Sequence, residues 1–211
     1  MHFFDRAYEG DPLWETGRPQ PAFVRLEEEG SIVGRVVDVG CGTGETALYL
    51  AGRGHPVWGL DISPNAIRRA EAKARERGRE ATFRVANLLD LADLGAQFET
   101  AVDCGLFHVF LDAHRPRYVE NVGRLLVPNG RLFLLCFSEE EPTDWGGPRR
   151  VTRAEIRDAF GLGWSVESIR PSRYEVTLPG VEGRAWLAEI TRRPGTARVR
   201  GVAEPPHRPP G

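Results

Sequence analysis

The sequence predicts an α/β fold in which a mainly parallel sheet is covered by helices. Three observations carry that expectation. Between residues 34 and 137, short apolar runs alternate with longer stretches of helical periodicity, as strand–helix–strand crossovers require. The first apolar run ends in alternate glycines, Gly40, Gly42 and Gly44, at the start of a helical stretch. Two late strand candidates follow one another directly, which fits an antiparallel pair at a sheet edge.

Residues 1–33 precede the first strand and are rich in large apolar side chains: Phe3, Phe4, Tyr8, Leu13, Trp14 and Phe23. Such a segment must cover something apolar, either as a helix packed on the sheet edge or as a lid over a ligand pocket. Strands are expected at residues 35–39, 57–61, 82–86, 100–104 and 130–137, and helices at 45–53, 64–77 and 115–126. The second helix opens with Ser63 as N-cap and Pro64 at its first position, and Gly78 fits its stop. Its arginines alternate with glutamates at i,i+4 spacing, which reads as a solvated face. Pro128-Asn129-Gly130 makes a turn before the fifth strand, with Asn-Gly supplying positive backbone dihedrals. Residues 138–150 are polar and rich in Pro and Gly, hence a loop. Thr152-Arg153-Ala154-Glu155 is a capping box that opens a short helix running to about Phe160. The late strands are expected at 164–170 and 183–191. Residues 34–192 thus form the folded domain, and residues 193–211, dominated by Pro, Gly and Arg, read as a mobile tail.

A chain of 211 residues buries a one-domain core without staples. The net charge of -2 and the absence of a segregated basic patch argue against a nucleic-acid partner. Cys41, Cys104 and Cys136 each lie in or at the end of an apolar run, with no C-x-x-C pair. They read as buried thiols in a reducing compartment, not as a disulfide framework or a metal site. No leader-like N-terminus is visible, and no run approaches the ~18 apolar residues of a membrane span. The expectation is a soluble cytoplasmic protein without a membrane partner.

The turn Val36-Val37-Asp38-Val39-Gly40-Cys41-Gly42-Thr43-Gly44 lets the backbone approach a ligand closely at a helix N-terminus. A dinucleotide fingerprint has the spacing G-x-G-x-x-G and places a pyrophosphate there. Here the spacing is G-x-G-x-G, with Asp38 two positions earlier, which suits a cationic ligand with an amino-acid tail better. Asp61 closes the second strand about 20 residues after the first glycine, where an acid accepts from both ribose hydroxyls. Otherwise it is an ordinary strand-end Asp helping to start the helix at Ser63. Asn87 either bonds an adenine edge, with Leu88 packing on the ring, or closes an Asx-turn.

At these residues the chain resembles class I S-adenosylmethionine (SAM)-dependent methyltransferases. Residues 37–44 look like motif I of that family and Gly59-Leu60-Asp61-Ile62-Ser63-Pro64 like motif II. Ala101-Val102-Asp103-Cys104-Gly105-Leu106-Phe107-His108 resembles motif IV, and Leu125-Leu126-Val127-Pro128-Asn129-Gly130 the turn before strand five. The resemblance implies a Rossmann-like seven-stranded sheet of order 3-2-1-4-5-7-6, strand 7 antiparallel, with helices on both faces. It implies SAM as cofactor, held by Trp14, Arg18, Asp38, Gly40, Cys41, Gly42, Gly44, Asp61, Ile62, Asn87, Leu88 and Cys104. Trp14-Glu15-Thr16-Gly17-Arg18-Pro19-Gln20-Pro21 is similar to the N-terminal segment of bacterial relatives of thiopurine, thiol and halide methyltransferases, where an aromatic segment folds over SAM. That likeness puts Trp14 on the cofactor and Tyr8 or Phe4 on a small acceptor. The sequence departs from the family pattern at Asn87, where Asp is commoner, and at Asn129, where Gly is usual.

Methyl transfer requires holding a nucleophile on line with the C–S bond and, for neutral acceptors, removing a proton. His108 is the leading candidate for that base, with Asp103 and Tyr8 in supporting roles and Asp112 and Tyr118 behind them. A lone histidine at this position is otherwise a packed pocket wall, and an already ionised acceptor needs no base. Two alternatives stand beside methyl transfer: a SAM-binding protein without transfer activity, and a nicotinamide-dependent oxidoreductase disfavoured by the glycine spacing.

Overall fold

The strand Val36–Val39 (β1) is buried at every position, as a strand covered on both faces must be. The computed structural model describes residues 2–143, 148–177 and 182–195. The other strands are β2 (Val57–Asp61), β3 (Thr82–Val85), β4 (Phe98–Cys104), β5 (Leu126–Phe137), β6 (Trp164–Glu175) and β7 (Glu182–Arg192). They form one seven-stranded sheet of order β3-β2-β1-β4-β5-β7-β6. Strands β1 to β5 pair in parallel, and β7 runs antiparallel to both β5 and β6. The order and the antiparallel strand are those expected.

Among the described residues there are six helices: α1 (His2–Ala7), α2 (Pro21–Glu28), α3 (Glu45–Gly52), α4 (Pro64–Glu76), α5 (Arg115–Leu125) and α6 (Arg153–Ala159). A 3-10 turn, Phe107–Val109, follows β4. The sheet pleat separates two cores. Val36, Val102, Phe133 and Leu135 pack with side chains of α2, α3 and α4. Val37, Val39, Ala101, Leu132 and Leu134 point the other way and pack with α5 and α6. Helix boundaries follow local chemistry. Ser63 Oγ accepts from Ala66 N–H at 3.1 Å to cap α4. Thr152 Oγ1 accepts from Glu155 N–H at 3.0 Å while Thr152 N–H donates to the Glu155 carboxylate at 2.7 Å, closing the capping box of α6.

Some boundaries differ from the expectation. Strand β6 runs five residues past Arg170, through Pro171 to Glu175. It is the sheet's edge, so the N–H that Pro171 lacks has no ladder partner to lose. Strand β5 begins at Leu126, because Leu126 pairs with Phe98 before the intervening residues bulge out and pairing resumes at Arg131. In that bulge Asn129 adopts φ 64°, whereas Gly130 is not among the positive-φ glycines. The N-terminal segment holds two short helices rather than one. Residues 144–147 of the expected loop, and the expected tail beyond residue 195, lie outside the described residues.

Candidate active site

The carboxyl ends of β1, β2 and β4 converge on the glycine turn, where an open sheet of this order leaves a crevice. Gly40 N–H and Cys41 N–H both donate to Leu60 O, at 2.7 and 3.0 Å, which ties the turn to β2. Gly42 sits at φ 54°, and a Cβ there would lie 2.7 Å from the Tyr8 hydroxyl, so a side chain would meet both strain and a collision. Asp61 braces the turn from β2: its carboxylate accepts from Gly42 N–H at 2.9 Å and Ser63 N–H at 2.8 Å. Burial pushes Asp61 up, and the Ser63 and Gly42 N–H groups oppose the shift. Each carboxylate oxygen keeps a further lone pair for a ligand hydroxyl.

Asp38 is the unusual group. It is 1% exposed, and neither carboxylate oxygen has a hydrogen-bond partner among the described residues. Burial and then the nearby Asp103 carboxylate push it up to about 8. The Ala47 N–H opposes that shift without closing a hydrogen bond, and a buried carboxyl so poorly satisfied, beside a glycine turn, has the chemistry of a site that completes itself with a cationic ligand.

The N-terminal segment closes over this turn. Asp5 accepts from Ser63 Oγ at 2.7 Å and from Asn65 N–H at 3.0 Å, which seats α1 on the start of α4. Arg69 donates to Gly10 O at 2.6 Å. Trp14 Nε1–H donates to the Tyr8 hydroxyl at 2.9 Å, and Phe4 meets the Trp14 ring edge-on at 6.3 Å. Glu15 pairs with Lys73 Nζ at 3.1 Å and also bonds Thr43 of the turn. Lys73 continues to Glu45 at 2.5 Å. Burial opposes ionisation of Glu45, but Arg77 and Lys73 outweigh it and hold the carboxyl below its usual range. On the far side, the Gln20 side chain donates to Glu175 O at 2.9 Å and accepts from Glu175 N–H at 2.8 Å, while Arg18 pairs with the Glu175 carboxylate at 2.9 Å.

The resulting cleft, about 470 Å³ with the space open to solvent counted in, brings together Tyr8, Trp14, Arg18, Asp38, Gly40, Cys41, Gly42 and Cys104 from the expected set. Gly44 and Asp61 adjoin it through the turn. Ile62 follows Asp61, half-buried. Leu88 is buried in the core, with its carbonyl held by Asn121 at 2.8 Å, and Asn87 closes an Asx-turn onto Leu89 N–H at 3.0 Å; neither lines the cleft. Asp103 accepts from Leu106 N–H at 2.7 Å, from Phe107 N–H and from the Tyr118 hydroxyl at 2.5 Å, so its bonds shape the 3-10 turn. Burial pushes Asp103 up to about 6 against those donors. His108 is buried behind Tyr174 and does not line the cleft. Asp112 is exposed and paired to Arg149 at 2.7 Å. Sequence reasoning missed Glu15, Gln20, Thr43 and Tyr174 as cleft residues. Glu15 and Gln20 lay within the quoted N-terminal likeness, but nothing local distinguished Tyr174.

Comparison with known proteins agrees with this geometry. Residues 36–130 match the methyltransferase domain family. The chain is 37% identical over 180 residues to a 2-heptyl-1-hydroxyquinolin-4(1H)-one methyltransferase of Mycobacteroides abscessus, covering 81% of this chain and 79% of that protein. It is 26% identical to thiocyanate methyltransferase 1 of Brassica oleracea over 80% of this chain and 75% of that one. A solved structure described under conversion of a disulfide bond into a thioacetal group during echinomycin biosynthesis shares 36% identity. It superposes with a TM-score of 0.84 over 91% of this chain and 92% of its own. A Synechocystis magnesium protoporphyrin IX methyltransferase with bound SAM superposes with a TM-score of 0.63 at 23% identity over 82% of this chain and 76% of its own, a likeness of fold. With the sheet order, the glycine turn and these relatives in agreement, the chain belongs to the class I SAM-dependent methyltransferases of small-molecule type, with S-adenosyl-L-methionine as its cofactor.

Proposed function

We propose that this enzyme methylates a small aromatic or heterocyclic acceptor on a nitrogen, oxygen or sulfur nucleophile, in the cleft between the glycine turn and the N-terminal segment. The observation that carries the reading is the aromatic closure of the cleft, with Tyr8 and Trp14 from the N-terminal segment facing Tyr174 from β6. Such a lining is suited to a flat apolar molecule. The relatives named for a hydroxyquinolinone and for thiocyanate support a small acceptor.

Bound SAM supplies a methyl group on a positively charged sulfur. Asp38 would hold its ammonium, which fits the unpartnered carboxylate, and Arg18 at the cleft edge would hold its carboxylate. Gly40, Cys41, Gly42 and Gly44 would let the backbone approach it, and Asp61 would accept from the ribose hydroxyls. Trp14 would cover it, Cys104 would flank it, and Ile62 would pack on its base. Asn87 and Leu88 would reach that base by their backbone, since the Asn87 side chain is engaged in its Asx-turn. Tyr8 would line the acceptor side, and Asp103 would act by shaping the turn that carries His108. The N-terminal segment, residues 1–33, would serve as the lid of a domain spanning residues 34–192. No helix among the described residues is long and apolar enough to cross a membrane.

The test is a panel of hydroxyquinolines, phenols, thiols and nitrogen heterocycles, scored by S-adenosylhomocysteine release and product mass. At least one class should give methylated product in one-to-one ratio with S-adenosylhomocysteine. Release only in the presence of RNA or protein would overturn the reading.

A further inference from the structure

The edge strand β6 is separated from β4 by β7 and β5. Tyr174 of β6 nevertheless reaches β4: its hydroxyl donates to Cys104 O at 3.2 Å and lies 3.6 Å from Cys104 Sγ. On the way its ring stacks on the Phe137 ring of β5, 4.7 Å between centroids and 27° from parallel. His108 also stacks on Phe137, at 5.3 Å, and its Nδ1 accepts from the Phe137 N–H at 3.2 Å. Two glycines clear the room for these rings. Gly183 is the β7 residue paired with Tyr174, and a Cβ there would collide with the Phe137 ring. Gly105 follows β4 at φ 84°, and a Cβ there would lie 2.5 Å from the Tyr174 hydroxyl. The next residue along β6, Glu175, is gripped by the N-terminal segment through both backbone groups and its carboxylate. Tyr174 is therefore fixed at its tip and at its base, and it lines the cleft together with Tyr8 and Trp14.

We propose that Tyr174 sets the size of the acceptor, as a rigid aromatic wall that closes the β6 side of the cleft and limits how many fused rings a planar acceptor can carry. The proposal rests on the methyl-transfer reading above and adds the residue that sorts its acceptors. A side chain free to swing aside would admit molecules of many sizes. This one is held by a ring stack, by a hydrogen bond to the end of β4 and by the grip on Glu175, so it selects by shape. Burial pushes the Tyr174 hydroxyl up, so it stays protonated and keeps donating to Cys104. In-line transfer needs the nucleophile at a set place before the methyl carbon. An acceptor one ring too large is held away from that place by the wall, and one too small loses the contact that presses it there. The Phe137 ring and the gap at Gly183 lie beyond Tyr174, so shortening this side chain extends the cleft toward them.

Two measurements on the full chain test this. The first is kcat/KM for phenols, hydroxyquinolines and hydroxyacridines, acceptors of one, two and three fused rings. Tyr174→Ala should raise the three-ring over two-ring ratio by about 10-fold or more, the scale on which an apolar pocket discriminates by size, and should weaken phenols through KM. Tyr174→Phe keeps the wall and loses only the bond to Cys104, which weighs on all acceptors alike, so it should keep the wild-type ratios. A ratio unchanged in Tyr174→Ala, or shifted as far in Tyr174→Phe, would overturn the proposal. The second measurement needs no alanine variant to fold. In protein carrying 3-fluorotyrosine and saturated with S-adenosylhomocysteine, a hydroxyquinoline should shift the fluorine signal that Tyr174→Phe removes. The signal of Tyr118, which is buried against Asp103, should stay in place. A Tyr174 signal unmoved by a hydroxyquinoline that is turned over would sink the proposal while leaving methyl transfer standing. If wild type turns over no acceptor on the panel, the functional reading fails and the size limit falls with it.

Discussion

Asp38 lies buried with no hydrogen-bond partner among the described residues, and such a carboxyl holds its proton long after an exposed aspartate has lost it. Because its folded-state pKa, about 8, lies above that of the unfolded chain, the native state loses stability as pH rises from about 4 to about 8. Asp38→Asn removes that dependence. The ligand-free variant should melt higher than wild type at pH 8 by about 5 °C, with the gap closing as pH falls toward 4, in melting curves recorded across that range. The same variant should bind SAM about 10- to 100-fold more weakly by calorimetry, having lost a charged partner for the ammonium. Wild-type binding at pH 7 should release close to one proton, read from heats in buffers of different ionisation enthalpy, because Asp38 must ionise to pair. Asp38 and the glycines were legible in the sequence because turn, strand and acid are covalent neighbours. The state of His108 was not, since it depends on an N–H donated from β5, 29 residues away.

Among the elements, α4, α6 and the central strands announced themselves through caps and apolar runs, signals that lie within a few residues. The extension of β6 through Pro171 could not be read locally, because whether proline breaks a strand depends on whether that strand is an edge. Tyr174, which depends on that extension, was missed with it. The aromatics of the N-terminal segment showed that it must cover something apolar, but not where it attaches. One of its attachments to β6 is the Gln20 amide, which bonds both backbone groups of Glu175 as a neighbouring strand would. Gln20→Ala should cost about 1–3 kcal/mol, speed exchange of the Glu175 amide, and quicken SAM release in stopped-flow traces. Thr152→Ala serves as contrast. Losing the α6 cap should cost about 1 kcal/mol and leave SAM release unchanged.

On the scale of the whole molecule, the N-terminal segment contacts α4 through Asp5 and Glu15, the glycine turn through Thr43, and β6 through Gln20 and Arg18. A ligand beneath it therefore touches elements from both ends of the chain, and its binding energy should appear as global stability. At 100 times its dissociation constant, S-adenosylhomocysteine should add about 2.7 kcal/mol, raising the melting temperature by roughly 5–10 °C in a single transition. Local alternation of strand and helix made the parallel sheet legible, and the family resemblance supplied its strand order, while the closing of this segment over the turn is a long-range fact. The most direct test is a crystal structure with S-adenosylhomocysteine bound. The amino-acid end should lie against Asp38, the ribose against Asp61, and Tyr8 and Trp14 should cover both. Density for the ligand away from the glycine turn, or an Asp38 carboxylate still without a partner when the ligand is bound, would contradict the account.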